Sequence, residues 1–322
     1  EKSTCVGRRT CLTLMWSHPP VRIVATMPIK TAQTPRLLLR PVFFSPLIAL
    51  LLSLLLSACA HNPNEPYKPI QAQHGKDVMW MPTSDPLVFA MLDMANVQAS
   101  DKVYDLGAGD GRIAIEAARV YGATAVGIEY NPKLADFARQ NVEKAGLQNK
   151  VTIITGDIFE EDFSSATVVT LYLLESLNMK LKPTLLKMKP GTRVISNSFG
   201  MGLWIPDNAV QAPNGTIGMF WVVPSNIAGR WQISGLPGFA DNTTGEINLK
   251  QSFQFVDGEL SQPNNPKSPT IKVEGRLLGD VLTLKYTDSS NQPQTLTFTV
   301  DQTQWRPTNT PSAKPVAKRL PS

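Results

Sequence analysis

Cysteine and histidine are nearly missing from this chain, and where the few of them fall excludes several chemistries at once. The three cysteines are Cys5, Cys11 and Cys59, all upstream of the segments that read as folded. Disulfides, a cysteine zinc site and a thiol nucleophile are therefore not expected in the main domain. The three histidines, His18, His61 and His74, lie outside the core motifs. A two-histidine metal site or a serine–histidine triad is not expected either, so no metal is predicted. An excess of charge is also missing from the folded part. The formal net charge is +5, but residues 1–59 hold seven of the 31 basic residues and one of the 26 acidic ones. That leaves 24 basic against 25 acidic residues beyond Cys59. A basic face is the usual footprint of nucleic-acid binding. Here the leader supplies the basicity, and no nucleic-acid partner is expected.

What is present is concentrated in residues 103–112, Val-Tyr-Asp-Leu-Gly-Ala-Gly-Asp-Gly-Arg. A short apolar run ends in Asp105, three glycines alternate with other residues, and a helical pattern begins at Arg112. That is the pattern of a buried strand turning tightly into a helix N-terminus, with backbone close enough to touch a ligand. The dinucleotide fingerprint needs a third glycine where Arg112 stands, so that reading fails.

Two more strands follow the same plan. Residues 125–130, Ala-Val-Gly-Ile-Glu-Tyr, run into Glu129, and Asn131-Pro132 supplies a helix cap and first turn that Gly146 closes. Glu129 stands eighteen positions after Gly111, close to the spacing at which an acid grips a ribose diol. Residues 151–157 form a third strand that leads into Asp157. Three successive strands ending in carboxylates place three acids on one edge of a parallel sheet, where open α/β folds bind ligands. A fourth strand is expected over 166–174, a helix of the 181–188 type after it, a fifth strand over 192–199 and, over 216–223, the closing strand pair or its last member. A lead-in with Met81-Pro82-Thr83 precedes a helix over 87–96.

These residues resemble class I S-adenosylmethionine (SAM) methyltransferases, an α/β Rossmann-like fold. Asp105, Gly107, Gly109, Asp110 and Gly111 resemble the motif that cradles the amino acid end of SAM. Glu129 matches the acid on the ribose, and Asp157 with Ile158 matches the pair that reads and packs adenine. The Met-Pro-Thr lead-in with Thr83, the Glu-Tyr-Asn-Pro run and the Arg-Val-Ile strand are similar to one branch of that superfamily. They resemble bacterial relatives of the protein-lysine methyltransferases that modify mitochondrial membrane proteins such as the c-ring protein of ATP synthase. The resemblance covers about half the chain and implies SAM as cofactor and a protein lysine as acceptor. It places the acceptor pocket just past the fourth strand, with Tyr172, Glu175 and Asn178 as catalytic candidates and Asn197 and Trp204 on the rim.

The flanks read differently. From Met27, Lys30, Arg36 and Arg40 precede an apolar run over 42–56 that ends in Leu56-Ser57-Ala58-Cys59. This is the layout of a lipoprotein signal, with Cys59 lipidated, a membrane anchor and a domain on the periplasmic side. The competing reading is an uncleaved anchor with the domain on the cytoplasmic side of the inner membrane, although the run is short for a span. Residues 1–59 are thus a leader, 60–77 a proline-rich tether and 78–225 the methyltransferase domain. Residues 226–305 alternate apolar and polar positions as a small antiparallel β-domain with one wet face. Residues 306–322, rich in proline, threonine and lysine, are expected to be disordered. Export conflicts with a cofactor made in the cytosol, so the alternative function is an exported envelope lipoprotein that uses the fold for ligand binding or interaction without catalysis.

Overall fold

The computed structural model describes residues 67–237, 244–263, 268–308 and 315–321. The segment expected to be a leader with a lipoprotein signal, and Cys59 with it, lies outside the described residues.

A seven-stranded sheet forms the first half, in the order β3-β2-β1-β4-β5-β7-β6. Its strands are β1 (Lys102–Leu106), β2 (Thr124–Glu129), β3 (Val151–Thr155), β4 (Val168–Leu171), β5 (Arg193–Asn197), β6 (Asn208–Gln211) and β7 (Ile217–Val222). The first five run parallel, and β7 is antiparallel to both β5 and β6. Helices α1 (Asp85–Met94), α2 (Arg112–Arg119), α3 (Pro132–Lys144) and α4 (Glu175–Leu185) cover its faces.

Because strand side chains alternate between faces, each strand feeds two cores. Val103, Ala125, Val168 and Ile195 face one layer with Leu87 and Met91 of α1. Tyr104, Val169 and Val194 face the other with Leu181 and Leu185 of α4. The α3 boundary follows its sequence signals: the Asn131 side chain accepts from the Lys133 and Leu134 amides, and Pro132 opens the helix.

The C-terminal half closes on itself. Strands β8 (Gly229–Ser234), β9 (Thr244–Ser252), β10 (Phe255–Ser261), β11 (Ile271–Leu278), β12 (Val281–Thr287), β13 (Pro293–Val300), β14 (Gln304–Pro307) and β15 (Val316–Arg319) make an eight-stranded antiparallel barrel. Trp231, Phe298 and Trp305 fill its interior, with the two indoles 4.8 Å apart. The barrel packs on the sheet domain through the β9–β10 turn. There Phe253 stacks on Trp204 at 6.2 Å, and Gln254 donates to the Ile205 carbonyl at 2.9 Å. Arg276 of β11 pairs with the nearly buried Asp207 at 2.7 Å.

Three expectations need correction. Residues 316–319, assigned to a disordered tail, are the strand that closes the barrel onto β8. Only Ala317 of β15 is fully buried, so the strand has almost no hydrophobic pattern of its own, and backbone pairing plus Arg319 holds it. Arg319 donates to the carbonyls of Gln302, Ala228 and Asn226 and lies over the Trp231 ring. Residues 67–77 are not a free tether: Tyr67 packs edge-on against Phe137 of α3, and 72–80 form a small hairpin through the His74–Met79 bridge. The helix after β4 starts at Glu175, six residues before the expected one, so Glu175 and Asn178 lie in its opening turns.

Candidate functional site

The β1–α2 turn is built on backbone that side chains resist. Gly107, Gly109 and Gly111 all take positive φ, at 84°, 58° and 81°. A Cβ on Gly109 would stand 2.5 Å from the Trp80 indole nitrogen. The amides of Gly107 and Ala108 both donate to the Ile128 carbonyl, which straps the turn to the end of β2.

The three acids converge on this turn. Asp105 is buried and accepts from the Thr170 hydroxyl at 2.7 Å. Burial pushes its carboxyl up to about 7, the Thr170 bond opposes this, and the charges of Asp110 and Glu129 add to it. Glu129, at the end of β2, accepts from the Gly109 amide at 2.9 Å and the Asn131 amide at 2.8 Å. Desolvation raises its pKa against the pull of those amides. Asp157, past β3, accepts from Lys76 Nζ at 2.6 Å and from the Phe159 amide at 3.0 Å. Its pKa is lowered, chiefly by the Lys76 bond.

All of these border one cleft, together with Thr83, Asp110, Ile158 and Tyr172. Gly111 shapes the turn from behind: an added Cβ there would meet Ala138 of α3 at 3.3 Å. Asp110 is engaged by the Arg112 guanidinium, which also donates to the Thr83 carbonyl at 2.8 Å. That fork ties the Met-Pro-Thr lead-in to the glycine turn. A second hollow adjoins the cleft, sharing Tyr172, Leu173 and the hairpin with it and adding Leu174 and Phe199.

The acceptor candidates separate. Tyr172 borders both hollows and stacks on Phe199 at 6.5 Å. Glu175 is exposed and borders neither. Asn178 is fully buried and donates to Ser196 Oγ and to the Phe199 and Gly200 carbonyls, so it shapes the loop after β5 and does not face the cleft. Trp204 is not on a rim: it is fully buried between Trp221 and Phe253. Asn197 donates to Thr83 Oγ1 at 3.1 Å behind the cleft wall.

Patterning carried no signal for Lys76, Trp80 or His74, which reach the site from the segment assigned to the tether and lead-in. His74 borders both hollows, so an imidazole does stand at the site although none stands in the core motifs. Thr170 and Gly127 were also missed. A Cβ on Gly127 would fall 2.7 Å from that of Ala108, and only the tertiary approach of the turn to β2 reveals the need for glycine.

Known proteins are similar to this chain. The ANTKMT methyltransferase domain matches residues 105–208. A protein-lysine N-methyltransferase of Saccharolobus islandicus (strain REY15A) is 44% identical over 142 residues, which is 44% of this chain and 88% of that protein. The chain belongs to this methyltransferase family. Its methyl donor is SAM. The adenine nucleotide translocase lysine N-methyltransferase of Mus musculus is 33% identical over 106 residues, 33% of this chain. The chain spans 46% of the length of that relative. Among solved structures, an RNA methyltransferase from Salinibacter ruber in complex with S-adenosyl-L-homocysteine is 49% identical, with a TM-score of 0.45. That match covers 46% of this chain and 96% of the other.

The site fits SAM in this family. A cationic group beside the buried Asp105 carboxylate would favour its ionised form, and the positive-φ glycines keep side chains off the backbone next to it.

Proposed function

We propose that this methyltransferase transfers a methyl group from SAM to the side-chain amine of a protein lysine. Two hollows share one wall at Tyr172 and Leu173, and this juxtaposition carries the reading. The archaeal relative that the chain covers over 88% of its length has the same acceptor in its name. When bound, SAM supplies an electrophilic methyl on a sulfonium centre. The residues placed to hold it are Asp105 and the glycine turn at the amino acid end, Glu129 at the ribose, and Asp157 with Ile158 at the adenine. Thr83 and Asp110 hold the wall beside them.

The chain's other residues serve the acceptor. Val78, Met79, Met81, Leu173 and Phe199 give the second hollow apolar sides, which suit the aliphatic stem of lysine and strip water from its amine. Desolvation lowers an amine's pKa and frees the lone pair that must attack. The Tyr172 hydroxyl, at the shared wall, orients that amine, and His74 stands within the same hollow to take up its proton. Glu175 and Asn178 are assigned no contact with the acceptor.

Isotope-labelled SAM incubated with the full chain and a lysine-rich protein, followed by acid hydrolysis, tests the reading. Label should be recovered as methyl-lysine. Label found only in added RNA, or in no acceptor at all, would refute it.

We also propose a lipid anchor at Cys59 with the domain on the periplasmic side, supported by the basic flank, the apolar run and Leu56-Ser57-Ala58-Cys59. Among the described residues no helix is long and apolar enough to cross a membrane. Cys59→Ser should abolish fatty-acid labelling and leave the precursor uncleaved. Strong signal from a cytosol-only reporter fused after Ser322 would instead place the domain beside the cytosolic SAM pool.

A further inference from the structure

The hairpin over residues 72–80 stands where the cofactor reading requires open space. Its strands are held by paired backbone bonds, Ala72 to the Trp80 carbonyl and Trp80 to the Gln73 carbonyl, both 2.9 Å. Its tip carries Lys76, whose ammonium bonds Asp157 at 2.6 Å and lies 4.7 Å above the centre of the Tyr130 ring. Its base carries Trp80, which lies against Gly109 of the glycine turn.

We infer that this hairpin is a strap latched across the cofactor cleft by Lys76, and that adenine and the Lys76 ammonium compete for the same acid and the same ring. The inference rests on the reading of Asp157 as the adenine partner. An amino group of adenine and an ammonium both seek the Asp157 carboxylate, whose other oxygen already accepts from the Phe159 amide. The half-exposed Tyr130 ring offers one flat face at that end of the cleft, and the cation rests over it. Entry of the cofactor must therefore break the Lys76–Asp157 pair and lift the tip. The same hairpin walls the second hollow through Val78 and Met79. Lifting it reshapes the acceptor side, so the strap orders the two ligands with the cofactor first.

The latch is weak because of its surroundings. The Lys76 side chain is 41% exposed, and an ion pair in that setting shifts an equilibrium by about two- to fivefold. Salt screens it further.

The test is equilibrium titration of SAM into the full chain and into Lys76→Met, at low and at high salt. The variant should bind about two- to fivefold more tightly at low salt. The wild type should tighten as salt rises, while the variant stays flat. Trp80 emission should change on SAM addition in the wild type, with that change missing from Trp80→Phe. Unchanged or weaker binding by Lys76→Met overturns the latch, as does Trp80 emission that ignores SAM. Lys180→Met serves as the control, because Lys180 lies over Phe159 and reaches Asp157 only through its charge, whereas Lys76 bonds it directly. Equal tightening there would reduce the effect to lost positive charge and also overturn the proposal. If neither protein binds SAM, the cofactor reading itself falls, an outcome distinct from a wild type that binds and a latch that does not exist.

Discussion

Replacing Asp105 by asparagine should make the protein more stable and a poorer binder of SAM. The unfolded carboxyl ionises near its ordinary 3.8, whereas the folded one, stripped of water, ionises near 7. Between those values the unfolded chain alone releases its proton, so folding stability falls as pH rises through the window, and the full penalty is present above about 7. A shift of that size corresponds to a ceiling of about 4 kcal/mol. Asparagine can still accept from Thr170 through its amide oxygen and has no proton to lose. Asp105→Asn should therefore raise the melting temperature at pH 8 and change it little at pH 4. The cofactor pulls the other way. A cation beside Asp105 favours the ionised carboxylate, so the wild type must release a proton to bind below about pH 7. Its SAM dissociation constant should rise up to about tenfold for each pH unit below that point. S-adenosylhomocysteine, which lacks the sulfonium charge but keeps the α-ammonium of the amino acid end, should show nearly the same dependence. Calorimetric titrations between about pH 5.5 and 7.5, with thermal melts of both proteins, measure these quantities. A wild-type SAM affinity that is flat across the range, or an asparagine variant no more stable at pH 8, would refute the reasoning.

Glu129→Ala removes a buried acceptor of two backbone amides. It should weaken SAM by about ten- to hundredfold in a binding titration, since bonds to a charged group are worth roughly 1.5–3 kcal/mol. Tyr172→Phe should leave melting and SAM affinity unchanged while slowing methyl transfer in a single-turnover assay. Asn178→Ala should instead lower the melting temperature, because three bonds that hold the loop after β5 are lost. Arg319→Ala should unfasten β15, detected as faster amide exchange in β8 and β14, with SAM affinity preserved because the barrel's closing seam contributes nothing to the cleft.

The parts legible in the chain were those whose cause is local. The β1–α2 turn needs positive φ at three alternating positions, and only glycine takes that backbone cheaply. A strand buried on both faces is apolar until it nears the sheet edge, which is why Asp105 and Glu129 stand at the ends of β1 and β2. Asp157 instead follows β3, an edge strand with Thr152 and Thr155 exposed. Asn131-Pro132 and Gly146 fix α3 by the chemistry of helix ends. Closure of the barrel was not legible. Residues 316–319 carry one fully buried side chain, and a strand held by backbone pairing to a distant partner leaves little trace in hydrophobic alternation. The first turns of α4 were hidden for a related reason, because the buried Asn178 looks polar until the loop carbonyls it serves are brought to it.

The sequence by itself determined that a sheet edge presents three acids around a glycine turn, and the resemblance of those motifs to class I SAM methyltransferases implied the cofactor class. Strand periodicity, helix caps and backbone sterics act over a few residues and leave their mark on those residues. Tertiary structure alone decided what faces that edge. It laid the 72–80 hairpin over Asp157 and Tyr130, raised the Asp105 carboxyl by burying it, and turned Asn178 away from the cleft while leaving Tyr172 on its wall. Each of these depends on which distant segment supplies the neighbour, through desolvation, charge and packing, and no local pattern records that choice.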